Sequence, residues 1–466
     1  MTTRLFFDRR WIVNHAGPCR PRGQYGFRVD APTPPAAPVL VADRPWESMA
    51  VGWGTLLHED GRFRLWYEAW DEHYRDDFDG RLCYAESADG EHWDKPNLGL
   101  VEYQGSRANN LLLDGTLAGG LGFHGHCVFV DPTSPPEARY RMIFMGGLRR
   151  WDGEGYGAYP LSFAYSADGL RWQWGVPGPG SWVHPPITPF GSDTQSVVEW
   201  DAPRRQYVGY FRNWEDGYGR TIARATTSDF ARWPHPETIL AADENDPFGS
   251  DLYNNAASRY EVPGDTAHFF FVSVFDHETD TLSIQLATSR DGVRYSRLAR
   301  EPFVAPTEDY NRGGGYMCPG IVRDGEDLVM MYHATPYRHG EATPDQIRYA
   351  GSYVLLRLPR DRFQGLHAEQ FEGNVGVERG EDGTVRASVN ATIAPGGEIR
   401  AGLLRAADTL EFLPGFGPED CTPVSGDGVD LPFTWRGGST PPLPVGEPLE
   451  LRLYLRQATV YSVSFA

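Results

Sequence analysis

A turn motif, Ser/Thr-x-Asp-Gly-x-x-aromatic, recurs along this chain and constrains its fold more than any other feature. It stands at Ser87-Ala88-Asp89-Gly90-Glu91-His92-Trp93, at Ser166-Ala167-Asp168-Gly169-Leu170-Arg171-Trp172 and at Ser289-Arg290-Asp291-Gly292-Val293-Arg294-Tyr295. A degenerate copy, Thr227-Ser228-Asp229-Phe230-Ala231-Arg232-Trp233, keeps the aspartate and the ring, and Arg360-Asp361-Arg362-Phe363 is a weaker fifth. The aspartates lie 79, 61, 62 and 70 residues apart. Asp-Gly supplies the positive φ that a tight hairpin needs, and a following ring packs between neighbouring sheets. A period of this length fits a four-stranded unit with generous loops.

Each copy is preceded by an alternating, ring-rich run: Arg62–Tyr67, Tyr140–Met145, Gln206–Phe211, His268–Val274 and Leu328–His333. Such runs read as strands. An earlier run in each unit, Val51–Leu57, His126–Val130, Thr194–Trp200, Tyr253–Tyr260 and Tyr316–Val322, is expected to be the innermost strand. Five such units predict an all-β, five-bladed propeller over 47–365. Uneven spacing also suits a long sandwich or a stacked β-solenoid, but the rings favour the propeller. After Asp361 the texture changes to short alternating strands, predicting a small β-sandwich over 366–466. The first 46 residues, Pro-rich around Ala31-Pro32-Thr33-Pro34-Pro35, are expected to wrap the propeller's outside.

Composition removes several functions. With 43 basic and 63 acidic residues the net charge is −20, which repels nucleic acid and acidic membrane faces. A single lysine, Lys95, lies in a turn-like context with no glycine loop, so Schiff-base and Walker-type phosphate chemistry drop out. Five dispersed cysteines give neither a disulfide framework nor a zinc knuckle. Neither a secretory leader nor a membrane span is read from the sequence, so a soluble cytoplasmic protein is expected, with a homo-oligomer left open. Neither a Gly-x-Ser-x-Gly elbow nor His-Glu-x-x-His occurs.

Leu5-Phe6-Phe7-Asp8, Pro45-Trp46-Glu47, Leu65-Trp66-Tyr67, the Ser-x-Asp-Gly-x-x-Trp turns and the Tyr461-Ser462-x-Ser464-Phe465 ending resemble bacterial glycosyl hydrolases of the invertase and levanase type. More distantly they are similar to arabinanase and xylosidase propellers. The resemblance implies a five-bladed propeller with a β-sandwich tail and carboxylates in the central funnel. The chain departs from that pattern at Gly122–His126, where the second blade offers no acid, and near its start it lacks the asparagine-aspartate-proline signature.

Propeller sites collect where inner strands begin and second strands end. Glu47, His126, Asp193 and Asp251 lie 42, 42, 36 and 40 residues before their marker aspartates, which predicts convergence on the axis. Glycoside hydrolysis needs one acid and one carboxylate nucleophile or base, and no metal. The catalytic candidates are therefore Glu47, Glu68, Asp193 and Asp251. By position in the resembled families, Glu47 stands for the nucleophile or base and Asp193 for the acid.

His124, His126, Arg212, Arg312 and His333, with the loop rings Trp70, Trp151 and Trp214, are the expected sugar-binding residues, since sugar faces stack on rings and hydroxyls take paired hydrogen bonds. No cofactor is predicted, although His-x-His at 124–126 leaves room for a divalent ion. The expected function is exo-acting hydrolysis of a small oligosaccharide or glycoside. Two alternatives remain: a phosphorylase similar to mannoside phosphorylases, with phosphate on Arg212, Arg312 and His333, and a non-catalytic sugar-binding propeller.

Overall fold

Period-two alternation becomes strand throughout, and among the described residues there is no α-helix, only short 3-10 turns at Pro45–Glu47 and Pro136–Ala138. The structure is a computed structural model that describes residues 1–12, 22–75, 79–114, 122–146, 161–175, 188–341, 347–406 and 408–466.

Five antiparallel sheets form the blades of a propeller. Blade one runs outward through Ala50–Glu59, Arg62–Trp70, Arg81–Ser87 and Trp93–Asp94, and Leu111–Asp114 adds to its third strand. Blade two is His124–Val130, Tyr140–Met145, Leu161–Ser166 and Gln173–Trp174; blade three is Val197–Asp201, Gln206–Glu215, Gly219–Thr227 and Glu237–Leu240. In blade four the inner strand is split into Asp251–Asn254 and Ala257–Val262, both paired with Asp265–Asp276, and Thr281–Ser289 lies outside them. Blade five places Gly314–Met317 and Val322–Asp324 on Asp327–Thr335, then Ser352–Pro359, with Leu40–Val41 outermost. A strand from before blade one thus completes the last blade and closes the ring.

The recurrent turn follows the third strand. Ser87 Oγ accepts from the Gly90 N–H at 2.8 Å, and Asp89 Oδ1 accepts from the N–H groups of Glu91 and His92 at 2.8 Å each. Gly90 sits at φ +80°, where a side chain would be strained. The same bonds recur at Ser166/Asp168 and Ser289/Asp291. Each turn also ties two blades together. Trp66, fully buried in blade one, donates Nε1–H to Gly169 O at 2.7 Å, and Tyr210 of blade three donates to Gly292 O at 3.1 Å. Burial of each such ring contributes roughly 2 kcal/mol.

The first 46 residues do not simply wrap the propeller. Thr2–Leu5 pairs with Leu449–Phe465, and Arg22–Val29 pairs with Gln364–Gly376, so both belong to the C-terminal sheet. That seven-stranded sheet forms the β-sandwich. Its long strands, Ala387–Arg405 and Leu449–Phe465, break register between Ile393 and Glu398, and they enclose a core that includes Phe371, Leu403, Phe416, Trp435 and Leu453. Asp361, the weak fifth marker, joins the two parts: it accepts from Tyr260 in blade four at 2.6 Å and from Ser462 in the sandwich at 2.7 Å.

Candidate functional site

At the axis, the inner strand of blade one carries Gly52-Trp53-Gly54. A bulge between Gly52 and Gly54 leaves Trp53 at φ +39°, a conformation that costs a non-glycine residue energy. Gly54 can hold no side chain, because a Cβ would come within 2.7 Å of Cys318 Sγ. The bulge places the Trp53 ring 4.7 Å from Tyr316 and 5.8 Å from His124. Trp70, at the end of the second strand, lies 5.7 Å from His124. These rings form one side of a cavity of about 340 Å³ at the mouth of the propeller, also lined by Asp193, Arg212, Arg220, Tyr253, His333 and the Tyr337–His339 loop.

Glu68 is fully buried behind this wall. Its Oε2 lies 3.1 Å from His124 Nδ1, while its Oε1 lies 2.9 Å from His126 Nδ1 and accepts the His126 backbone N–H at 3.0 Å. Burial pushes this carboxyl up, but the charge of His124 and the hydrogen bonds from both rings outweigh it and hold Glu68 below its ordinary value. His124 lines the cavity, and His126 lies deeper, stacked on Phe123. Across the cavity, Arg212 Nε lies 3.0 Å from Asp193 Oδ1. His333 stacks on Tyr316 with an interplanar angle of 11°, and both its ring nitrogens are buried. Burial lowers His333 to about 4, so its ring is neutral near pH 7.

The other expected residues are placed differently. Glu47 is fully buried inside blade one and saturated there: Lys95 Nζ reaches its two oxygens at 2.9 and 2.7 Å, Tyr67 donates to Oε1 at 2.7 Å, and the N–H groups of Asp43 and Arg44 bond Oε2. The only lysine in the chain is its ion-pair partner. Asp251 faces a neighbouring groove of about 750 Å³, held by Arg220 at 2.9 Å and His277 at 3.1 Å. Trp214 packs against Arg220 at 4.5 Å and is not among the residues lining the cavity. Arg312 is exposed, its Nε bonded to Pro336 O, and it too is absent from the lining. Trp151 lies outside the described residues.

Of the four candidate carboxylates, the fold therefore brings Asp193 to the cavity and Glu68 to just beneath its wall. Sequence reasoning passed over Trp53, Tyr253, Tyr316 and Arg220. The first three stand on inner strands, and the local signal there was the Gly52-Trp53-Gly54 run around Trp53. Arg220 gave none, since its role depends on Asp251 and on rings from two blades. Among the described residues no group of three or more His, Cys, Asp or Glu side chains is arranged to hold a metal ion, and no helix is long and apolar enough to cross a membrane.

No family model and no curated protein sequence matches the chain. Among solved structures it is similar to a glycoside hydrolase at 14% identity, covering 70% of this chain and 92% of that one with a TM-score of 0.48. It is also similar to a thermostable family-43 glycoside hydrolase at 16% identity, over 68% of this chain and 92% of that one, TM-score 0.44. The GH32 beta-fructofuranosidase BmSUC1 of Bombyx mori matches at 11% identity over 92% and 94% of the two chains, TM-score 0.43.

Proposed function

We propose that the protein is a glycoside hydrolase, exo-acting on a short oligosaccharide or small glycoside, with its reaction in the axial cavity. One observation carries this reading: a small cavity has aromatic rings on one side and, on its walls, both Asp193 and His124 backed by Glu68. Trp53, Trp70 and Tyr316 offer faces for the apolar side of a sugar ring. Glycosidic cleavage requires one group to protonate the leaving oxygen and another to activate water or attack the anomeric carbon. Asp193 is one of them. Glu68 is enclosed, so it acts through His124, fixing Nδ1 and stabilising the imidazolium while the ring itself handles the proton. Glu47 and Asp251 have structural roles in this reading. The cavity's modest volume suits a single terminal sugar, and short substrates suit the cytoplasmic location proposed from sequence.

The test is a panel of 4-nitrophenyl furanosides and pyranosides. At least one should be hydrolysed by the wild type, and Asp193→Asn should slow it by roughly 10²-fold or more with unchanged thermal unfolding. Sugar binding without turnover by the wild type would make it a binding propeller, and turnover only in the presence of phosphate would make it a phosphorylase.

A further inference from the structure

The axial cavity carries a charge opposite to that of the chain around it. Acidic residues outnumber basic ones 63 to 43 overall, yet among the described residues the arginines and carboxylates lining the cavity are Arg212, Arg220 and Arg338 against Asp193. Arg212 and Arg220 come from adjacent strands, and both place their guanidinium over the ring of Tyr253, at 4.2 and 4.7 Å. Arg212 is engaged through all three nitrogens by Asp193, with Nε 3.0 Å from Oδ1 and the two Nη donating to Oδ2 and the backbone O, whereas Arg220 is balanced through Nη1 by Asp251 at 2.9 Å. A guanidinium has five N–H donors. The Nε of Arg220 is buried with no hydrogen-bond partner among the described residues. Arg338, exposed at the rim, bonds through its backbone N–H to Glu341, and its guanidinium has no partner among the described residues. Two of the three guanidiniums are thus offset, and one positive charge is left over beside unused donors.

We infer that the cavity recognises an oxyanion, held between Arg220 and Arg338 while the rest of the ligand lies toward Trp53 and Tyr316. Planar guanidinium donors match the paired oxygens of a carboxylate or a phosphate, and stacking on Tyr253 holds Arg220 in place before the ligand arrives. The shared chemistry has two sources, a carboxylate on the sugar, as in a uronic acid, or free phosphate. The first source rests on the reading of the cavity as a sugar site; oxyanion binding as such does not.

The experiment is calorimetric titration of the full chain with D-glucuronate, D-galacturonate, D-glucose, D-galactose and sodium phosphate. At least one anion should bind at least about ten-fold tighter than either neutral sugar, with affinity falling as salt rises. A response to a uronate identifies a carboxylate sugar, and a response to phosphate alone identifies the free ion. Arg338→Met and Arg220→Met should each remove about ten-fold or more of the preference. Because Arg338 is exposed, its variant keeps the test informative if Arg220→Met fails to fold. Equal binding of anions and neutral sugars, or unchanged anion affinity in Arg338→Met, overturns the inference. Absence of glycoside turnover bears on the hydrolase reading and leaves this binding measurement standing.

Discussion

Arg212 holds Asp193 from behind: its Nε lies 3.0 Å from Asp193 Oδ1, the guanidinium side is 2% exposed, and the carboxylate side is 22% exposed. The arginine is in turn pinned against Tyr253 at 4.2 Å. The carboxylate therefore meets the cavity in one orientation, which is what a group acting on a single bond requires.

Arg212→Lys keeps the charge and loses the planar fork. It should lower kcat/KM on any hydrolysed aryl glycoside by about ten-fold or more while leaving the unfolding midpoint within a few degrees. Steady-state kinetics together with thermal unfolding check this, and unchanged kinetics would show that Asp193 needs no such support.

Lys95→Met leaves Glu47 as an enclosed charge without its counter-ion. Breaking a buried pair in this way costs about 3–5 kcal/mol. Denaturant titration should show that loss, and the fraction that remains folded should turn over normally. Lost turnover at full stability would instead return Glu47 to the chemistry.

Glu68→Gln removes the anion that favours the protonated ring of His124. A carboxylate beside an imidazole raises its affinity for a proton, so its loss moves the acidic limb of the pH–rate profile to lower pH. Measuring kcat/KM from pH 4 to 8 in both proteins checks the direction. A shift toward higher pH, or none, would separate Glu68 from the titration of His124.

His333 holds its proton less tightly folded than unfolded, about 4 against 6.5, because its ring is buried. The folded state binds fewer protons across that interval, so stability is full above 6.5 and declines as pH falls toward 4, by up to roughly 3 kcal/mol. His333→Phe should flatten this decline in urea titrations at pH 7 and pH 5. The same slope in both proteins would assign it to other groups.

The blades are legible in the amino-acid order alone. The bonds that make each marker turn, such as Ser87 Oγ to the Gly90 N–H, span three residues, so a local motif could announce the turn and its repetition could count the sheets. The amino-acid order also marked His124, at the start of an inner strand, and Asp193, just before one. Which carboxylates face the cavity depends instead on contacts between distant parts of the chain. Glu47 is sealed by a lysine 48 residues away, and Asp251 is drawn to a separate groove by Arg220 and His277. The first strands likewise found their places in the sandwich and in blade five through pairing with the far end of the chain. A period in sequence records which residues share a strand face, whereas the direction of a buried charge is set by whichever counter-charge the folded chain brings beside it.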